Sequence, residues 1–318
     1  MIDFFSNIHI WLQRYSGLIA TNSTIWCQVY ARLFVALDCL TNLIANLVLP
    51  AYFRCTKSKE LPNFAMGECV IISFTTFPKR IGRVWMVVES LLRQKIMPSE
   101  IHLWLSKEQL HDESDLPRSL KREIKKGLQV HFVDEDIRSH KKYYYILQIH
   151  PDDLIMTVDD DILYRSDALQ KLLDYHKIYP DCVIANYART IMTTEGGDLR
   201  PYNTWAQCDK ERTDDYVFFG SGGGTLYPPH VLHPDVINKD VFLECCPTAD
   251  DVWLNAMTRL NNKKIIKTDC SRVFLQIINW GDIALSDTEN VGPNGNDRQI
   301  ELVRKYAIDK YGRDPFGI

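Results

Sequence analysis

Short apolar runs alternate with helix-like segments through residues 69–176, and this alternation constrains the fold more than any other feature of the chain. Runs of strand length cover residues 69–74, 101–105, 130–133 and 154–158. Between the first two runs, apolar residues from Val84 to Leu92 recur at helical spacing. Strands joined by helices need crossover connections, so the sequence predicts an α/β fold with a Rossmann-like, mostly parallel sheet flanked by helices.

Composition excludes several other classes of protein. The 318 residues are 46% hydrophobic and 25% charged, which is typical of a folded globular chain. The formal net charge of −4 gives no general attraction to a polyanion, so nucleic acid is not an expected partner. Because the nine cysteines include no Cys-x-x-Cys pair, we expect a reducing, cytoplasmic setting and neither a disulfide framework nor a cysteine-based zinc site.

The chain divides into a helical, partly amphipathic N-terminal extension with its linker, residues 1–66, and a main domain, residues 67–318. The boundary lies in a polar segment interrupted by Pro62 and Gly67. The N-terminal residues show no secretory pattern, since Asp3 interrupts them early, which also favours a cytoplasmic protein.

The segment Leu33–Phe53 is apolar over the length that crosses a bilayer. Asp38, Asn42 and Asn46 recur in it every four residues, which predicts an amphipathic helix with one polar face rather than a clean membrane span. Two placements stay open. The helix packs on the rest of the protein, or it makes peripheral contact with a membrane, at the inner face of the plasma membrane near a lipid-linked substrate.

Three consecutive carboxylates, Asp159, Asp160 and Asp161, directly follow the apolar run at residues 154–158. Ligands bind at the carboxyl ends of parallel strands, and crowded carboxylates there repel one another and lose solvation. A divalent cation, Mg²⁺ or Mn²⁺, relieves that repulsion. Strand alternation predicts Asp159 and Asp161 on one side and Asp160 on the other. The simpler alternative is an acidic turn before a helix near Asp167.

Four segments together resemble the GT-A nucleotide-sugar glycosyltransferases, in particular family-2-like bacterial enzymes that build surface polysaccharides such as capsule or O-antigen. In this chain they read ISFTTFPKR at 72–80, DDD at 159–161, GSGGG at 220–224 and ADDVWL at 249–254. Their order covers roughly residues 69–300. The resemblance implies a metal-dependent, inverting hexosyltransferase that moves a sugar from a nucleoside diphosphate donor, expected to be UDP-linked, to a saccharide or lipid-linked saccharide.

The same resemblance assigns the nucleotide and metal sites. The acidic triplet corresponds to the family's DxD motif, in which Asp159 contacts the ribose and Asp161, with Asp159, holds Mn²⁺ or Mg²⁺. The loop after the first strand would meet the nucleotide, and a lysine precedes the acidic triplet as in similar sequences. The expected nucleotide-binding residues are Thr75, Thr76, Pro78, Arg80, Lys142, Asp159 and Asp160.

The two later segments supply the residues expected to contact an acceptor or donor sugar and to act on the acceptor hydroxyl. Gly222, Gly223 and Gly224 would let a sugar lie against the backbone, although a tight turn alone explains them equally well. The resemblance makes Asp251 the general base and Asp250 the alternate. A capping box from Thr248 to Asp251 is the structural alternative. Because a helix N-terminus stabilises negative charge, we expect a lowered pKa for Asp251.

Two other functions remain open from the sequence. A sugar nucleotidyltransferase also has an α/β sheet with metal-binding carboxylates, but it needs a basic, glycine-rich triphosphate loop, and residues 74–80 contain no glycine. A non-catalytic carbohydrate-binding or scaffold subunit could keep the same fold, since fold alone does not fix function.

Overall fold

The computed structural model describes residues 1–20, 25–61, 69–271, 274–278 and 295–317. Within them the strands are β1 Val70–Thr75, β2 Glu100–Ser106, β3 Leu128–Val133, β4 Leu154–Val158, β5 Ile162–Leu163, β6 Val183–Ala185, β7 Ala188–Thr190, β8 Val217–Phe219, β9 Gly223–Tyr227, β10 Ile265–Lys267 and β11 Leu275–Gln276. The α-helices are α1 Ile2–Ala20, α2 Ile25–Cys55, α3 Trp85–Leu91, α4 Arg118–Ile124, α5 Lys141–Tyr144, α6 Ile146–Ile149, α7 Ala168–Ile178, α8 Lys239–Cys245, α9 Asp250–Leu260 and α10 Asn296–Tyr311.

A seven-stranded sheet in the order β10-β6-β9-β4-β1-β2-β3 organises the main domain. β1 pairs in parallel with β2 and β4, and β2 with β3, while β9 runs antiparallel between β4 and β6. All five residues of β4 are buried, as expected for a strand covered on both faces. The predicted class is therefore confirmed: α/β, with a mostly parallel sheet flanked by helices and an N-terminal helical extension.

The four predicted strands occur as β1 to β4, with ends shifted by no more than two residues. Residues 141–149 form two short helices, α5 and α6, separated at Tyr145. Antiparallel β9 was not predicted. Its direction brings its amino end beside the carboxyl end of β4. The predicted domain boundary at residues 66 and 67 lies outside the described residues.

Helix α9 is held by burial along most of its length. Trp253 is completely buried, and its indole nitrogen donates a hydrogen bond to the Val236 carbonyl oxygen at 2.9 Å. Val252, Leu254 and Met257 are also completely buried. Because both sides of the helix contact the core, its first residues are fixed relative to the sheet.

Helices α1 and α2 pack side by side as a hairpin that turns its polar residues inward. Asp38 is buried, pairs with His9 and accepts a hydrogen bond from Gln13 at 2.7 Å. Asn46, also buried, donates to the Gln276 carbonyl oxygen at 2.8 Å. The predicted helix over residues 33–53 thus lies within α2, and its polar face is directed toward the protein.

The rest of α2 is strongly apolar. Within Trp26–Cys55, an 18-residue window has a mean hydropathy of 1.8 and is 22% buried, and by length and composition the helix could cross a membrane. However, Ala45, Leu49 and Phe53 pack into the main domain, where Phe53 meets the Trp85 ring edge-on at 6.2 Å. This half of the helix therefore lies along the surface of the domain.

Candidate active site

The acidic triplet follows β4 at the carboxyl edge of the sheet and divides into two partly exposed carboxylates and one buried carboxylate. The side chains of Asp159 and Asp161 are 41% and 25% exposed, whereas that of Asp160 is 8% exposed. The Asp159 amide donates to the Tyr164 hydroxyl at 2.8 Å and to the Gly222 carbonyl oxygen at 3.1 Å. These bonds fix the start of the triplet against the residues that lead into β9.

Arg80 and Thr76, from the loop after β1, hold the other two carboxylates. Arg80 Nη1 donates to Asp160 Oδ1 at 2.8 Å and to Asp161 Oδ2 at 2.9 Å, and Thr76 Oγ1 donates to Asp160 Oδ2 at 2.5 Å. Exposure alternates as predicted, since Asp160 is buried between two partly exposed neighbours. Arg80 nevertheless bonds both Asp160 and Asp161, so one cation bridges the two sides.

Lys142, at the start of α5, connects the triplet to α9. Its ammonium group lies 2.8 Å from Asp159 Oδ1, 3.1 Å from Ser221 Oγ and 3.2 Å from Asp250 Oδ2, and the side chain is only 6% exposed. Burial by itself would lower the pKa of Lys142, but Asp159, Asp250 and Asp251 together raise it well above its usual value. The lysine is thus a buried, permanently charged link between two acidic groups.

Ser221 holds both aspartates at the start of α9. Its hydroxyl donates to Asp250 Oδ2 at 2.5 Å, and its backbone amide donates to Asp251 Oδ1 at 2.7 Å. The capping-box alternative is wrong, since the Thr248 amide bonds to Gln299 Oε1 at 3.1 Å and α9 has no side-chain cap. The Asp251 carboxylate points into the site instead of back along its own helix.

The two aspartates of α9 have opposite acid–base properties. Burial, reinforced by the neighbouring Asp250, raises the pKa of Asp251 to about 7. The expected lowering by the helix N-terminus is therefore wrong. Burial also acts to raise the pKa of Asp250, but Lys142 and His140 outweigh it and leave that pKa lowered. Asp250 is held as an anion, whereas Asp251 exchanges its proton near neutral pH.

Asp161 resembles Asp251 in this respect. Burial, followed by the charges of Asp159 and Asp160, raises its pKa to about 7, although Arg80 acts in the opposite direction. A carboxylate that resists ionisation beside two others marks a region of strong negative potential.

Residues 222–224 are glycines in places where a side chain would clash with neighbouring atoms or the backbone has a positive φ. A Cβ added to Gly222 would lie 1.7 Å from Asp159 Oδ2, and one added to Gly223 would lie 2.4 Å from Tyr187 Cβ. Gly224 has a φ of +89°, which favours glycine. Gly223 and Gly224 are buried in β9, so the expected turn ends at Gly222. Contact of these glycines with a sugar stays a prediction.

The sequence identified most of the charged residues of this cluster but missed two neutral ones. Ser221 and the buried Tyr164 organise the backbone of the site, and the only signal for Ser221 was its place among glycines. Two expected nucleotide-binding residues lie nearby: Thr75 Oγ1 donates to the Trp104 carbonyl oxygen at 2.8 Å, and Pro78 is exposed in the following turn.

The donor set fits a hard divalent cation. Five carboxylates, those of residues 159–161, 250 and 251, meet two cationic side chains, Arg80 and Lys142, which leaves excess negative charge. Asp159 and Asp161 are the exposed members and offer oxygen ligands of the kind that Mg²⁺ and Mn²⁺ prefer. These two residues could hold the ion, since the Asp160 carboxylate is occupied by Thr76 and Arg80.

No protein-family model matches the chain, and neither does any curated protein. Solved structures similar to it include two glycosyltransferases. One is TarS (1–349) from S. aureus in complex with UDP, at 12% identity and a TM-score of 0.46. The alignment covers 76% of this chain and 66% of the TarS chain, just under two thirds. The mannosyltransferase PcManGT from Pyrobaculum calidifontis, in complex with GDP-Man and Mn²⁺, aligns with 98% of this chain and 79% of its own at 12% identity and a TM-score of 0.45.

A third similar structure is 4-diphosphocytidyl-2C-methyl-D-erythritol synthase from Anaerococcus prevotii, which aligns with 76% of this chain and 99% of its own at 12% identity and a TM-score of 0.41. At such identities and scores, these structures do not establish the chemistry of this chain.

Replacing Gly222 by alanine should displace the Asp159 carboxylate, because the new Cβ would overlap it. We expect the affinity for Mn²⁺, measured by isothermal titration calorimetry, to fall at least about tenfold. Gly82→Ala is the matched control, since a Cβ there meets no atom within 4 Å and should leave binding unchanged. Equal affinities in the two variants would contradict the assignment of Asp159 as a metal ligand.

Asp161→Asn should stabilise the metal-free protein at alkaline but not at acidic pH. Because the folded pKa of about 7 lies above the ordinary value of 3.8, the folded state binds more protons, and this carboxyl group costs stability as the pH rises through that interval. Chemical denaturation should show a gain of about 1–3 kcal/mol at about pH 8 that disappears near about pH 4. A gain that does not depend on pH would contradict the raised pKa.

Proposed function

We propose that the protein is a glycosyltransferase that uses a divalent metal and a nucleoside diphosphate sugar, with a saccharide or lipid-linked saccharide as acceptor. The observation that carries the proposal is the carboxylate-rich cluster at the carboxyl edge of the sheet, in which two exposed aspartates face a third, titratable aspartate across a buried lysine. The resemblance of the four sequence segments to GT-A enzymes supports the same reaction class.

The donor would bind over the exposed aspartates of the triplet, Asp159 and Asp161, and the loop that contains Thr76 and Arg80. Bound there, Mn²⁺ or Mg²⁺ would neutralise charge on the diphosphate. Arg80 keeps Asp161 oriented, and Lys142 keeps Asp159 oriented, so both carboxylates are positioned before the donor arrives. A UDP-linked hexose and inversion at the anomeric carbon are the finer expectations of the proposal.

Asp251 is proposed as the general base. One of its carboxylate oxygens accepts the Ser221 amide, so the other, Oδ2, would take the proton of the acceptor hydroxyl. As the acceptor oxygen bonds to the anomeric carbon, the bond from that carbon to the diphosphate breaks, and the diphosphate leaves with the electron pair. A pKa of about 7 suits a base that works at neutral pH. Asp250, already bonded to Ser221 and paired with Lys142, is less suited to accept a proton.

Asp251→Asn should lower sugar transfer by about 10² to 10⁴-fold while Mn²⁺-dependent binding of UDP stays intact, because only proton acceptance is lost. In the wild-type protein, kcat/KM should rise as the pH passes through the Asp251 pKa of about 7. The variant should lack this rise. The exposed Asp198→Asn is the control.

Transfer is measured with a panel of nucleotide sugars, a saccharide acceptor and Mn²⁺, and the released nucleotide is identified. Nucleoside diphosphate supports the proposal. Pyrophosphate formed from a nucleoside triphosphate would instead indicate a sugar nucleotidyltransferase. Lack of any metal-dependent nucleotide binding would favour a non-catalytic subunit. Transfer within a few-fold of normal in Asp251→Asn would move the base to Asp250.

We further propose that the α1–α2 hairpin binds the surface of an anionic membrane, at its cytoplasmic side, where lipid-linked acceptors lie. Its outward face is apolar, and the large side chains that are at least 37% exposed include Phe4, Trp11, Leu18, Leu33, Val35, Leu37, Leu40, Ile44, Leu47 and Val48. Exposed Arg14, Arg32 and Arg54 border this face and complement anionic headgroups. Since α2 also packs on the domain, the hairpin is proposed to lie in the interface and not to span the bilayer.

Leu40→Glu combined with Leu47→Glu should reduce binding to phosphatidylglycerol-containing vesicles at least about tenfold in a sedimentation assay, because charge replaces apolar surface. Ile178→Glu, on α7, is the control, since Ile178 is 67% exposed and lies outside the hairpin. Alkaline carbonate should release the bound protein. Retention after carbonate would indicate a span, and a dimer in solution that the double variant abolishes would indicate that a second copy covers this face.

A further inference from the structure

A second polar cluster lies away from the candidate active site, toward the amino end of β2. It is built from Glu100 and His102, which face the same side of β2, and from His150, which follows α6. One potential ligand atom from each of the three residues lies within 4.8 Å of the other two. His102 is almost completely buried, whereas Glu100 and His150 are partly exposed, so the cluster is accessible from solvent on one side.

Each histidine of the cluster has an orienting partner. His150 Nδ1 lies 3.0 Å from Asp153 Oδ2, which leaves Nε2 as the nitrogen for a metal. His102 Nδ1 lies 2.9 Å from His131 Nε2, and His102 Nε2 lies 2.8 Å from Glu100 Oε2. Protein-bound zinc is typically held by histidines whose second nitrogen bonds to a carboxylate or another acceptor, because that bond fixes the tautomer and the ring orientation.

Aromatic packing makes the cluster rigid. The His102 and His131 rings stack at 5.0 Å with an angle of 7° between their planes, and His131 stacks on Trp104 at 4.2 Å. Tyr145 stacks on the Trp104 ring at 5.1 Å. Ligands on a strand and held by stacked rings move little, and little ordering is then needed when an ion binds.

We propose that Glu100, His102 and His150 form a binding site for Zn²⁺, distinct from the site at Asp159 and Asp161. Two imidazoles and one carboxylate are a donor set that suits zinc, with a fourth position left for water. The ion binds Nε2 of neutral His102 in place of the hydrogen bond to Glu100, and the single ring proton of His102 then lies on Nδ1, where it is donated to His131 Nε2. Because His150 lies directly after α6, the ion ties the α5–α6 segment, and with it Lys142, to the sheet.

The test uses the full-length protein after treatment with a chelator. Zn²⁺ is titrated by calorimetry, and Co²⁺ serves as a spectroscopic probe, since tetrahedral cobalt with nitrogen and oxygen ligands gives intense visible bands. We expect one equivalent of Zn²⁺ to bind and the melting temperature to rise. His150→Gln should weaken binding at least about tenfold. Far-UV circular dichroism establishes that the variant is folded, and Glu100→Gln provides a second test if it is not.

Two controls separate this site from its surroundings and from the proposed catalytic metal. His111→Gln removes an exposed histidine outside the cluster, and Asp161→Asn alters the triplet; both should keep the cobalt bands and the Zn²⁺ affinity. Three outcomes would each overturn the proposal. Zn²⁺ does not bind stoichiometrically, the Zn²⁺ affinity is unchanged in folded His150→Gln and Glu100→Gln, or the cobalt bands are lost in Asp161→Asn. None of these outcomes bears on sugar transfer, which is measured separately.

Discussion

The buried ammonium group of Lys142 is the interaction on which the candidate site depends. It contacts Asp159 at the end of β4 and Asp250 at the start of α9. One positive charge therefore connects the sheet to helix α9. Removing a single partner of such a buried pair leaves an uncompensated charge, which is strongly destabilising. The backbone supports the lysine as well, since Ser73 Oγ of β1 donates to the Lys142 carbonyl oxygen at 2.6 Å.

Environment gives chemically identical side chains different properties in this site. Asp250 and Asp251 are neighbours in sequence, yet Lys142 holds the first as an anion while burial makes the second titrate near neutrality. Asp160 and Asp161 likewise share Arg80, but Asp161 is partly exposed whereas Asp160 is buried. A site with both fixed and titratable carboxylates can orient a cation and accept a proton without one task disturbing the other.

The N-terminal hairpin reverses the usual distribution of polarity in a soluble protein. Its polar side chains, among them His9, Asp38 and Asn46, bond within the protein, and large apolar side chains cover the outside. Isolated apolar residues on a surface are ordinary, but so many exposed on one hairpin favour an interaction surface. Its attachment next to β11 fixes the orientation of the main domain relative to whatever covers that face.

The sequence alone determined the α/β class, because apolar runs and helical periodicity are local patterns that burial on both faces of a parallel sheet requires. It also located the acidic triplet, the lysine before it and the acidic pair of α9. Tertiary structure decided how these groups pair. Antiparallel β9 and the contacts of Ser221 with α9 depend on residues 29 or more positions apart, as does the meeting of His102 with His150. The raised pKa of Asp251 follows chiefly from its burial. Hydrogen bonds and desolvation act through space, so no local pattern in the sequence specifies them.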